Sequence, residues 1–271
     1  MEGRVLNAGK RNVLGILIDA TDYESACDAI FTAAKQKQCL TVTALAVHGL
    51  MTGALDREHQ FRLNHFDLLL PDGQPVRWVL NLLHHAGLSD RVYGPNLTMK
   101  ICAGAVEKGI PLYFYGTNPE TLAPLRHTLE KKFPGIIIAG MEPSRFRRLT
   151  PKEKQEVAER IQASGAEIVF VGLGCPRQET FAYEFREILP MPILAVGAAF
   201  PFLAGQLAQA PKWMQDAGLE WFFRLVVEPR RLWRRYLFLN PAYLCLVAVQ
   251  ALRLFRFPTE GRAPTTELLY G

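Results

Sequence analysis

Short apolar, β-rich runs alternate with helical stretches of about a dozen residues along most of the chain, and no other feature limits its fold as strongly. The runs are Val13–Ile18, Leu40–Val47, Phe66–Leu70, Pro111–Tyr115, Ile136–Ala139, Ile168–Val171 and Ile193–Val196. Asp22 is placed to cap a helix through Lys37, with Ala26, Ile30 and Ala33 turned inward. Further helices are predicted from about Gly49 and over Val76–Leu83, Thr98–Lys108, Glu120–Lys132, Pro151–Ser164 and Glu179–Leu189. Strand, crossover helix and strand in repetition give an α/β fold, with a mostly parallel sheet and helices on both faces. At 271 residues and 49% hydrophobic, the chain can bury a full core as one large domain, or as a domain with an appendage.

The strand ends carry the candidate chemistry. Ile168–Val171 stops at Gly172 and Gly174, and Pro176, Arg177, Gln178 and Glu179 follow. A buried parallel strand ending this way opens either a ligand crevice or a tight turn. The stretch fits neither the GxGxxG nor the GxxxxGK[ST] phosphate fingerprint. Pro71-Asp72-Gly73, Gly116-Thr117-Asn118 and Gly197 end other strands on what should be the same sheet edge. In open parallel sheets that edge holds the ligand. Asp72 is the one carboxylate that stands out, either as a general base for a hydroxyl nucleophile or as the holder of an Asp-Gly turn.

Other chemistries lack support. There is no G-x-S-x-G for a serine nucleophile, and His48 reads as a satisfied polar residue near the edge. Cys175 reads as structural, because only Arg177 lies beside it to lower its pKa. The five cysteines are scattered without a CxxC, and the six histidines are dispersed, so neither a disulfide framework nor a metal site is expected. That cysteine usage, with an N-terminus lacking a signal peptide's apolar stretch, fits a reducing cytoplasm. No DxD pair is present, so arginines and backbone amides would have to neutralise any bound diphosphate.

The character changes near Gly205. Arg224, Arg230, Arg231, Arg234 and Arg235 face only one acid, Glu228, in that block, which implies an anionic partner. Trp213, Trp221 and Trp233 lie among them. Leu237–Leu252 is apolar but broken at Asn240-Pro241, and its 16 residues fall short of the roughly 20 that span a bilayer. This segment suits a membrane interface, or a helical hairpin packed on the domain or on a second subunit. The expected division is a core over 1–204, a basic, tryptophan-rich helical appendage over 205–256 and a disordered tail over 257–271. Nucleic acid is not an expected partner, since apolar Phe222, Phe223, Leu232 and Trp233 interleave the arginines and no nucleic-acid motif accompanies them.

Several motifs then agree. LPDG, RVYGPN, YFYGTNP, FPGI, VGLGCPRQE, VGAAF and GLEWFFRLVVEPRRLWRRY occur in an order and spacing that resemble the WecG/TagA/CpsF glycosyltransferases, from about Leu40 to Tyr236. The resemblance implies a Rossmann-like core and an inverting, metal-independent transfer with no cofactor. The sugar would pass from a UDP-sugar to a polyprenyl-diphosphate-linked saccharide in bacterial cell-surface polysaccharide synthesis. It implies a peripheral protein on the cytoplasmic face of the inner membrane, with a homo-oligomer left open.

By that resemblance Asp72 takes the place of the general base, and Arg224, Arg231 and Arg234 match arginines that hold phosphates. Gln178 and Glu179 fall in the nucleotide-sugar pocket, with Tyr93, Gly94, Asn96, Gly116, Thr117, Asn118, Gly172, Gly174, Pro176 and Gly197 as further candidate substrate contacts. The chain departs from the family pattern at Ala44-Leu45-Ala46 (T-x-N), Asn96 and Pro201 (both acids) and Gln209 (arginine). A hexose such as glucose therefore stands beside an N-acetylhexosamine as the expected donor sugar. A non-catalytic membrane-associated scaffold of a polysaccharide assembly complex is the alternative reading.

Overall fold

The computed structural model describes residues 7–271. Its centre is a six-stranded sheet of β3 (Leu40–Leu45), β4 (Leu68–Pro71), β5 (Leu112–Gly116), β6 (Ile138–Glu142), β7 (Ile168–Gly172) and β8 (Pro192–Ala195). The strand order is β4-β3-β8-β7-β5-β6 and every pairing is parallel, giving the expected α/β, Rossmann-like core. All six strands therefore end on one edge, where Leu45 pairs with Pro71 and Gly116 with Gly172.

Helices cover both faces, and each face has its own apolar core. Leu50, Met51, Leu63, Phe181 and Phe185 fill one, while Ala26, Ile30, Ile101, Leu125 and Phe200 fill the other. The chain leaves β3 toward the first face and β8 toward the second, so the crevice of a doubly wound sheet opens between these two neighbours.

The first strand differs from expectation. Instead of one strand over Val13–Ile18, β1 (Asn7–Val13) and β2 (Ile16–Thr21) form a separate antiparallel hairpin. Its turn residues Leu14 and Gly15 have φ of 54° and 87°, as a two-residue hairpin turn requires. The turn was hidden because Leu14 is buried, so the apolar run reads straight through it. The hairpin is tied beside β4 through Asp19, whose Oδ2 accepts from Leu69 N at 2.8 Å and Lys10 Nζ at 2.9 Å.

The helix expected from Thr98 begins at Gly94, with Pro95 in its first turn. Beyond the core lie the helices Lys212–Asp216, Glu220–Val227 and Pro229–Arg234, a π-turn at Arg235–Leu239, and the helix Asn240–Ala251. Among the described residues, no helix is long and apolar enough to cross a membrane.

The tail over 257–271 is not disordered. Asn12, Gln60 and Asn64 donate side-chain amide hydrogens to the carbonyls of Phe257, Pro258 and Thr259 at 2.7–2.9 Å. The Glu184 carboxylate accepts from Leu268 N and Leu269 N at 2.6 and 2.9 Å. These partners lie 84 to 245 positions away in the chain, beyond the reach of any local pattern.

Candidate active site

The edge strand β4 delivers Asp72 directly after Pro71. Asp72 N donates to Leu45 O at 3.3 Å, and Val92 N donates to Pro71 O at 2.9 Å. The second bond draws Arg91, Tyr93 and Gly94 over the same strand end. A Cβ on Gly94 would lie 3.4 Å from Ala44 Cβ and 3.9 Å from Asp72 Oδ2, so this backbone passes within van der Waals reach of both. The Gly94 N–H donates to the Asp72 carboxylate.

A cleft of about 740 Å³, counting its open mouth, lies over Asp72. Ala46, His48, Gln74, Arg91 and Tyr93 line the core side, while Glu220, Trp221, Arg224 and Tyr236 come from the appendage. Burial pushes the Asp72 carboxyl from 3.8 up to about 7, against the opposing pull of Arg91 and Arg224 and with the help of Glu220. Such a carboxyl can take a proton from a hydroxyl near neutral pH. Arg91 is itself buried, with Nη2 2.5 Å from Glu220 Oε2 and 3.3 Å from Gln215 Oε1, and its guanidinium lies 4.4 Å over the Tyr93 ring. Arg224 lies 5.7 Å over the Phe202 ring. The Tyr93 hydroxyl is held protonated far above its usual range, chiefly by burial.

The structure thus brings Asp72, Tyr93, Gly94 and Arg224 together. Arg234 lies apart, exposed on the appendage with its guanidinium over Trp233 at 5.2 Å. The side chain of Arg231 lies outside the described residues. Asn96 is exposed in the first turn of its helix, hydrogen-bonded to Tyr23.

The glycine-rich strand ends take a different part. A Cβ on Gly172 would sit 2.5 Å from the Phe200 ring, and one on Gly116 would sit 2.8 Å from the Gly172 backbone. Both let β5, β7 and the helix Ala199–Leu203 close on one another. Thr117 has φ of 56° and its carbonyl accepts from Ser144 N at 2.9 Å. Asn118 caps the helix Pro119–Lys132, accepting from Thr121 N at 3.0 Å. Thr180 N donates to the Pro176 carbonyl at 3.1 Å.

Gln178 and Glu179 lie buried beneath the strand ends and are not part of the Asp72 cleft wall. Gln178 Oε1 accepts from Gly174 N at 3.1 Å, and a Cβ on Gly197 would meet the same oxygen at 2.7 Å. Glu179 Oε1 accepts from Gln178 Nε2 at 2.9 Å and from Thr43 Oγ1 at 3.2 Å. Burial raises the Glu179 carboxyl above its ordinary value.

Three cleft residues escaped the sequence reading. Arg91 and Glu220 each sit inside a recognised motif, but nothing local signals that they pair. Gln74 lines the cleft, and its buried Oε1 has no protein partner, leaving an acceptor for a ligand hydroxyl or N–H. The family model described as "Glycosyl transferase WecG/TagA/CpsF family" matches residues 11–256.

Proposed function

The chain belongs to the WecG/TagA/CpsF glycosyltransferase family, and from that premise we propose that it moves a hexose or N-acetylhexosamine from a UDP-sugar to a polyprenyl-diphosphate-linked acceptor. The observation that carries the mechanism is the Asp72 carboxyl at the cleft floor, raised to about 7 beside Arg224.

In this reading the acceptor hydroxyl gives its proton to Asp72 as its oxygen attacks the anomeric carbon. The bond from that carbon to the UDP oxygen breaks in the same displacement, and the configuration inverts. Arg224, the appendage arginine that lines the cleft, carries the charge of the departing diphosphate in place of a divalent cation. Tyr93 bounds the space for the sugar.

The appendage then serves the membrane as well as the cleft. Trp221, Phe222, Trp233, Leu237 and Phe238 are all exposed beside the arginine block. This combination favours a peripheral position on an anionic surface such as the cytoplasmic face of the inner membrane.

A screen of UDP-sugars with a short-chain prenyl-diphosphate acceptor tests the reading. Transfer from one donor is expected, with Asp72→Asn binding UDP as wild type does but losing nearly all transfer. Wild-type rates in that variant would remove Asp72 from the mechanism. Absence of UDP binding by calorimetry in the wild type would favour a scaffold.

A further inference from the structure

The fold assembles a second group of reactive side chains by bringing His59 to Cys175 and Glu179 of the VGLGCPRQE motif. His59 lies on the helix Arg57–Asn64, Cys175 on the loop after β7, and Glu179 on the helix Arg177–Phe185. One ligand atom from each lies within 4.8 Å of the other two. His59 is 2% exposed and Glu179 is 1% exposed, while Cys175 keeps some contact with the surface. His59 Nε2 and Glu179 Oε2 are both buried without a hydrogen-bond partner. A buried polar atom left unsatisfied costs about 1–3 kcal/mol, so two in one cluster call for a shared partner.

The donor chemistry says what that partner is. Thiolate, imidazole and carboxylate together form a zinc-type ligand set. Bond lengths of about 2.0–2.3 Å to a tetrahedral cation hold its ligands roughly 3.3–3.8 Å apart, so the cluster need close by only about one ångström. The outer contacts also suit a ligand. Glu179 Oε1 is already fixed by Thr43 and Gln178, which leaves Oε2 to coordinate.

We propose that His59 Nε2, Cys175 Sγ and Glu179 Oε2 form a three-ligand site for one zinc-class cation, separate from the Asp72 cleft. In the metal-free protein the Cys175 thiol hydrogen-bonds to Glu179. Binding replaces that proton with the metal–sulfur bond and releases it to solvent. The partly exposed side of Cys175 gives the cation its entry and leaves a fourth position for water. Bound there, the ion staples the loop after β7 to two helices.

The test uses the full chain, stripped with a chelator, desalted and titrated with Co²⁺ and then Zn²⁺. The expected result is thiolate-to-cobalt charge-transfer absorption that saturates at one equivalent and is displaced by Zn²⁺. Loss of an outer-shell partner weakens such sites by about 10–100-fold, so loss of the sulfur in Cys175→Ser should weaken binding by at least about 100-fold. His59→Gln should weaken it as well. Absence of the absorption in the wild type, or equal affinity in Cys175→Ser, overturns the proposal. If either variant fails to fold by circular dichroism, alkylation of the wild type decides. Zn²⁺ must slow modification of Cys175, read by peptide mass, and an unchanged rate refutes the site.

Discussion

Arg91 Nη2 and Glu220 Oε2 form an ion pair at 2.5 Å that joins the segment over β4 to the first turn of the helix Glu220–Val227. Only 8% and 13% of the two side chains is exposed, so water screens the pair little. The same helix carries Arg224, one turn further on, into the cleft. The pair therefore acts as a clasp between core and appendage, and Asp72 feels the charges of both its members.

Glu220→Gln should open this clasp. Removing one partner of a buried pair costs about 3–5 kcal/mol, enough to free a short helix from its seat. Amide exchange over Glu220–Val227 should rise by orders of magnitude while exchange in β3 and β7 stays as in wild type. Unchanged protection of the helix would show that the appendage is held by other contacts.

Asp72 predicts a pH profile. With the deprotonated carboxyl as the proposed base, kcat/KM should fall on the acid side of about pH 7 and level off above it. In Glu220→Gln the acid limb should move to lower pH, because Glu220 raises the Asp72 pKa. A limb centred near pH 4 in the wild type would contradict the assignment.

The same carboxyl should destabilise the fold. Its folded pKa of about 7 exceeds the ordinary 3.8, so the folded state holds the proton more tightly. No penalty exists below about pH 4; it grows as pH rises toward 7 and is constant above. Asp72→Asn should therefore be more stable than wild type by a few kcal/mol at pH 8 and by little at pH 4. Thermal unfolding at both pH values measures this, and a difference independent of pH would refute it.

Gly172→Ala should destabilise through the Phe200 ring, since its Cβ would fall 2.5 Å from that ring. Overpacking of this kind costs about 1–3 kcal/mol. Phe200→Leu in the same chain should restore much of the unfolding midpoint. If the double variant regains stability but not UDP binding, the glycine serves the ligand as well as the packing.

Reversing Arg230, Arg231, Arg234 and Arg235 to Glu should weaken sedimentation with anionic vesicles. Each arginine near such a surface contributes about 1 kcal/mol, so the fourfold reversal should abolish binding at physiological salt. Equal sedimentation of both proteins would show that the exposed apolar side chains act without the charges.

Local pattern carried a great deal of this protein. The alternation of apolar runs and helices is a property of neighbouring residues, and it led directly to a parallel sheet with polar strand ends on one edge. Pro71-Asp72-Gly73 could be placed on that edge because a strand end is marked by the residues that stop it. The hairpin turn at Leu14-Gly15 went unseen because a buried leucine erased its polar mark.

Tertiary contact decided the rest, because a hydrogen bond or ion pair between distant segments leaves no periodic trace in either. Arg91 and Glu220 are 129 positions apart and meet only because the appendage folds back over β4. Glu179, in a motif that looked like an open ligand wall, is turned inward by Thr43 and Gln178 and gathered with His59 and Cys175. The tail is held by side chains 84 to 245 positions away in the chain. In each case the residue type was visible in the sequence, but its partner depended on which strands the topology set side by side.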